Sequence, residues 1–213
     1  MAVMTAKPNG SGLQVREIPA DTFLDFAKLH GTSEEIGPIG TIFDKMSEIA
    51  ESVQVYALGL YGCGTLCAVS ACTVTHVHSD EPGGLKLDSI IVDRALRRRG
   101  LAGFLVAKAF HQILSDPDQN LSTIFSHAVH PATVRLLRRM SFSEPPPLGA
   151  PISSLHLDNA ERAELLAFCE IQMQRALEHL NLECRFCEGG DRRARPWCQP
   201  RGVHPRSTAF ARR

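Results

Sequence analysis

Residues 92–103 read VDRALRRRGLAG: an apolar run closes, three consecutive arginines follow, and then comes a glycine with small residues behind it. With a strand before this stretch and a helix after it, the turn exposes the first main-chain N–H groups of the helix, backed by the positive end of its dipole. That arrangement binds phosphate. Gly100 has no Cβ to hold a bulky anion away, and Leu101, Ala102 and Gly103 open the helix with a first turn kept thin by Ala102 and Gly103. Arg97, Arg98 and Arg99 add positive charge to donors whose geometry the backbone sets. A solvated, charged loop is the alternative reading of the same residues.

Further residues can do chemistry. Asp88 lies in the apolar run that leads to the turn, and is a candidate general base or one half of an ion pair. His127 is of a residue type whose unperturbed pKa, near ~6.5, suits proton transfer, although a lone histidine in a strand is more often structural. CRFC at 184–187 with Cys198 and His204 forms a C-x2-C, C-x5-H array. Those four could close a tetrahedron on zinc and order a segment poor in apolar residues. The spacing from Cys198 to His204 is looser than the commonest fingers, so a zinc site and a metal-free basic tail both stand. From Cys184 onward eight arginines face only Glu188 and Asp191, a segment either solvated or held against an acidic partner. Cys63, Cys67 and Cys72 read as small buried hydrophobes.

The elements that must position these groups follow from periodicity. Residues 13–18 (LQVREI) alternate as a strand, and Pro19, Ala20 and Asp21 start a helix to about His30. Residues 41–50 space Ile42, Met46 and Ile49 as a helix does. Strands at 53–61 and 66–76 are joined by a glycine turn, and a buried strand spans 85–93. A helix runs from Gly100 to Asp116-Pro117, a strand follows at 121–129, and Pro131 opens a helix that closes at Phe142. One more strand is expected at 152–157, after which Asp158 and Glu161 form a capping box for a long helix. This order predicts a mixed α/β (α+β) domain at 13–157, its sheet largely antiparallel and flanked by helices. Before it lies a tail at 1–12; after it come a C-terminal helix at 158–183 and a Cys/Arg-rich appendage at 184–213.

Composition sets the bounds. At 213 residues, 44% hydrophobic and 22% charged, the chain suits one full domain with a modest appendage. Lys+Arg and Asp+Glu are both 23, so bulk charge gives no sign of nucleic-acid binding. Residues 52–75 carry no charge, but Gly62, Cys63, Gly64 and Thr65 interrupt them as a hairpin turn does, which argues against a membrane span. With no apolar export signal near the start, a cytoplasmic location is expected, and the seven cysteines read as reduced thiols or metal ligands.

The pattern Arg97-x-x-Gly100-x-Ala102 after a strand ending in Val92 resembles the acetyl-CoA signature of the GCN5-related N-acetyltransferases (GNAT family). The approach strand LDSIIV (87–92) is similar to the family's own, with Asp88 where many members carry a glutamate base. HPATVRLLRRMSF (130–142) resembles the second family motif, with His130 for its Asn, Leu137 for the Tyr that returns a proton to the thiolate, and Ser141 for its Gly. The resemblance covers about two thirds of the chain. It implies acetyl-CoA as cosubstrate, held by residues 97–103 and His130, with main-chain N–H groups around Ile91 and Val92 on the thioester carbonyl. It implies transfer of the acetyl group to an amine by direct attack, with Asp88 or His127 as base. An amine of pKa ~10.4 is neutral in about one molecule in 2,500 at pH 7, so the base must offset about 4.6 kcal/mol. The acceptor is a small molecule or a protein amine, and a homodimer is left open. The alternative is a module that keeps the fold, binds CoA and a protein or nucleic-acid partner, and has lost turnover with the Tyr.

Overall fold

The computed structural model describes residues 13–32, 53–62, 64–75, 82–127, 131–142 and 152–188, with backbone alone for His127, Ala132, Ile152, Ser153 and residues 179–188. The elements are β1 (Leu13–Glu17), α1 (Ala20–His30), β2 (Val53–Gly62), β3 (Thr65–Thr75), β4 (Gly83–Val92), a 3-10 turn (Arg94–Leu96), α2 (Leu101–Leu114), β5 (Leu121–His127), α3 (Pro131–Arg139), β6 (Ile152–His156) and α4 (Asn159–Glu188). The expected helix at 41–50 lies outside the described residues.

The strands form one sheet in the order β1-β2-β3-β4-β5-β6. Every neighbouring pair is antiparallel except β4 and β5, which run parallel and are linked through α2. The β2–β3 hairpin turns where the sequence predicts, with Gly64 at φ +80°, a conformation that glycine adopts without strain. Each face of the sheet is covered. On one, Phe23, Phe26 and Ala27 of α1 pack on Ala57, Val69, Ala71 and Ile91. On the other, α2 lies between the sheet and α4. A helix with neighbours on both sides must be apolar nearly all round, and nine of its 14 residues are buried, Phe110 and Leu105 completely.

The helix ends follow local chemistry. Asp158 Oδ1 accepts from the N–H groups of Ala160 and Glu161 at 2.8 Å, and Glu161 Oε2 accepts from the Asp158 N–H at 2.8 Å, a reciprocal capping box. Helix α1 begins one residue after Pro19, with Asp21 inside the first turn facing the dipole. Helix α4 does not stop at 183: it continues to Glu188, so the CRFC stretch at 184–187 is helical rather than a loop. Among the described residues no helix is long and apolar enough to cross a membrane.

Candidate functional site

Two irregularities of β4 make the site. Opposite β3 the register slips between Ala71 and Cys72, which pair with Ser89 and Leu87, leaving Asp88 as the extra residue of a β-bulge. A bulge changes which face the following side chains take. Leu85 and Leu87 point to the α2 side, whereas beyond the bulge Ile91 packs under α1 and it is Ile90 and Val92 that face α2. The second irregularity is that the parallel pairing with β5 ends at Leu87 opposite Ser126, although β4 continues to Val92. Residues 88–92 therefore have β3 on one edge and no described β5 partner on the other. The Asp93 N–H bonds the Cys67 carbonyl of β3 at 2.9 Å. Strand alternation then turns the amides of Val92 and Ile90 to the open edge and that of Ile91 towards β3.

The arginine turn follows directly. Arg98 and Gly100 have φ of +67° and +81°, and Arg99 between them does not share the positive sign. Alternation of this kind directs successive N–H groups to one concave side, a nest for an anion. Gly100 is also the N-cap of α2, with no side-chain cap, so the first amides of the 14-residue helix join the same surface. A Cβ built on Gly100 would meet no protein atom within 4 Å, so its conformation and the space in front of it, not protein packing, favour glycine.

The turn is held from behind. Asp93 Oδ1 accepts from the Ala95 N–H at 2.8 Å and lies 3.5 Å from Nδ1 of His30. Arg94 donates to the carbonyls of His30 and Gly31 at 3.3 and 3.1 Å. Arg97 donates to the Val92 carbonyl at 3.2 Å and to the His30 carbonyl at 2.9 Å. Its guanidinium thus ties the C-terminal end of α1 to the end of β4, a structural role that three adjacent arginines in sequence do not reveal.

In front of the turn lies a cavity of about 750 Å³. One wall is Ile90, Val92 and residues 97–104, the second is Thr133, Arg135, Leu136 and Arg139 of α3, and the third is Phe168, Gln172, Arg175 and Ala176 of α4. Six of these residues are arginines and none is acidic, so the potential inside is strongly positive. Residues 97–103 all line this cavity. The α4 wall is unforeseen: its four residues share one helical face, but nothing local to α4 marks that face as part of a site.

Asp88 lies near the open edge with its side chain 2% exposed. Its Oδ1 is 2.6 Å from Lys86 Nζ and its Oδ2 accepts from the Thr73 hydroxyl at 2.5 Å. The ion-pair partner is thus a lysine two residues away. The adjacent Cys72 thiol is held well above its usual range by burial first and the Asp88 charge second. The His127 backbone closes β5 opposite Ile152, its side chain is not described, and His130 lies outside the described residues.

Leu137 is fully buried in the core. Ser141 has φ +65°. The Phe142 N–H bonds the Leu137 carbonyl at 3.1 Å and the Ser141 N–H the Arg138 carbonyl at 3.1 Å, a Schellman ending whose left-handed position glycine fits better than serine. Of the proposed zinc ligands, Cys198 and His204 lie outside the described residues, and Cys184 and Cys187 are described by backbone only. Among the described residues there is no metal-binding cluster, and Cys67, Cys72 and Cys169 form no disulfide.

No protein-family model matches the chain, and no curated protein matches it in sequence. Solved structures match its fold. One described as a bacterial toxin superposes with a TM-score of 0.54 at 16% identity, over 74% of this chain and 95% of that one. AtaTR bound with AcCoA gives 0.53 at 13% identity, over 75% and 97%. AtaT complexed with acetyl-methionyl-tRNAfMet gives 0.51 at 14% identity, over 72% and 98%. At such identities the likeness is one of fold, and that fold is the GNAT fold: a mixed six-stranded sheet flanked by helices.

Proposed function

We propose that the chain is an acetyl-CoA-dependent N-acetyltransferase. The observation that carries this reading is the nest at residues 98–100, opening on a basic cavity beside the unpaired end of β4. The cosubstrate diphosphate sits on the amides of the nest and of the α2 start, where backbone donors and helix dipole act together. Its pantetheine arm runs along the open edge of residues 88–92 and exchanges hydrogen bonds with it as a further strand would. The amide of Val92 or Ile90 then polarises the thioester carbonyl.

The acceptor nitrogen attacks the carbonyl carbon, the C–S bond breaks with its electron pair going to sulfur, and the nitrogen loses a proton to Asp88 directly or through water. Asp88 is neutralised by Lys86 in the absence of acceptor, so an acceptor ammonium displaces Lys86 to reach it. Leucine has no proton to give, and with Leu137 in the core the thiolate takes its proton from solvent. A cytoplasmic amine, on a small molecule or on a protein, is the acceptor class that suits this chemistry.

The buried Leu137 favours a second reading: a module that binds CoA and a partner without turnover. Incubation with acetyl-CoA and a panel of amines separates the two. Release of free thiol that depends on the amine supports the enzyme; CoA binding with no thiol release from any amine supports the module. Metal analysis of the full-length protein tests the zinc site at Cys184, Cys187, Cys198 and His204, and less than about half an equivalent would remove it.

A further inference from the structure

Lys86 holds its ammonium where an acceptor nitrogen would have to stand. Its Nζ is 2.6 Å from Oδ1 of Asp88, and the Thr73 hydroxyl donates to the other carboxylate oxygen at 2.5 Å, which fixes the carboxylate in place. Leu85 and Leu87 face α2, so strand alternation puts Lys86 between them on the opposite face of the sheet. It therefore has no part in the cosubstrate cavity, whose β4 wall begins with Ile90 and Val92. The two faces meet at the open edge, because the pairing with β5 stops at Leu87, one residue before Asp88 and three before Ile90. Along the strand the Ile90 amide is about 6–7 Å from Asp88. Lys86 carries its amine on a flexible four-carbon stem, and its side chain is 31% exposed against 2% for Asp88, so it has room to swing from the carboxylate towards a carbonyl held on that amide.

We propose that Lys86 is itself an acceptor: with acetyl-CoA bound and no external amine at the site, the chain acetylates its own Lys86 Nζ. This rests on the functional reading above and adds a modification site to it. The ammonium gives one proton to Asp88 and becomes a nucleophile. Its lone pair attacks the thioester carbonyl carbon, the C–N bond forms, and the C–S bond breaks with its electron pair going to sulfur. The nitrogen loses its second proton as the adduct collapses, the thiolate takes one proton, and the other passes from Asp88 to solvent. CoA leaves as the free thiol. The product is a neutral amide that no longer compensates the Asp88 charge, so an external ammonium then meets a carboxylate without its built-in partner.

Incubation of the full-length protein with acetyl-CoA and no added amine tests this, with acetylation read lysine by lysine by mass spectrometry of its peptides. Lys28 is the internal control. It too pairs with an aspartate, Asp25 at 3.6 Å, and its side chain is more exposed, 66% against 31%, but it stands on α1. Spontaneous acetylation by the thioester should favour Lys28. Self-acetylation should label Lys86 about tenfold faster than Lys28 or more, as a positioned amine does. The Lys86 rate should also saturate in acetyl-CoA and stay the same when the protein is diluted. Asp88→Asn should slow labelling of Lys86 by about 10²-fold or more and leave Lys28 unchanged. Equal rates at the two lysines overturn the proposal, and so does a Lys86 rate that rises with protein concentration or is unmoved in Asp88→Asn. An unlabelled Lys86 in wild-type protein that calorimetry shows to bind CoA overturns it as well. Absence of CoA binding is a different result, because it removes the functional reading itself.

Discussion

Asp88 has both carboxylate oxygens engaged, one by Lys86 and one by Thr73, in a place where only 2% of its side chain is exposed. If it is the base, Asp88→Asn should lower kcat by about 10²- to 10⁴-fold and leave CoA affinity within about twofold; unchanged turnover discards it. Lys86→Ala should release the carboxylate from its built-in ammonium and raise kcat/KM for the acceptor, and a fall would show instead that the ion pair positions the base. At the turn, Gly100→Ala places a Cβ where no protein atom lies within 4 Å but at φ +81°. The backbone cost is about 1–2 kcal/mol of stability by chemical denaturation, and CoA affinity should fall by tenfold or more because the Cβ projects at the phosphate. Affinity equal to wild type would mean that the anion sits elsewhere. The turn between β4 and α2 was legible in the sequence because it is local: a strand end, a glycine and a helix start within 12 residues. The roles of Arg97, Lys86 and Thr73 were not, since each depends on which strand lies alongside and on a bulge that no residue of β4 announces.

At the scale of the element, α3 ends in a Schellman motif with a serine in the left-handed position. Ser141→Gly should therefore raise stability by about 0.5–1 kcal/mol in urea unfolding, since relief of the left-handed strain exceeds the entropy glycine adds to the unfolded chain. A loss of stability would show that the Ser141 hydroxyl has a role the backbone does not suggest. Elements with local signals matched expectation: the β2–β3 hairpin at its glycine turn, Pro131 at the start of α3, and the capping box of α4. The end of α4 did not. Two cysteines three apart suggested a metal turn, but residues 181–188 contain no glycine or proline to stop a helix, and α4 continues through them. The early end of the β4–β5 pairing, on which the site depends, arises from tertiary packing and has no signature in either strand.

Across the whole molecule, α2 is clasped between the sheet and α4, and this places Cys169 of α4 and Cys72 of β3 in the core. Burial holds both thiols neutral well above their ordinary range, Cys169 pushed up to about 12 and Cys72 further. In the unfolded chain the same thiols ionise near ~8.5, so above that pH the unfolded state binds fewer protons than the folded one and stability falls. The stabilisation is fully present below about pH 8.5 and declines by about 1.4 kcal/mol per pH unit per thiol as the pH rises towards 12. Urea unfolding under reducing conditions should show this decline between pH 8 and 10, with a shallower slope in the double variant Cys72→Ala with Cys169→Ala; equal slopes would refute it. The same layering carries Arg175 to the cavity and makes α4 part of the site. If main-chain amides around Gly100 receive the diphosphate of CoA, titration calorimetry of the folded protein with CoA reads that contact without any need for turnover. Saturable binding of one CoA per chain is expected, weakened about tenfold or more by Gly100→Ala; no heat of association even at millimolar CoA would mean that the turn holds no such ligand.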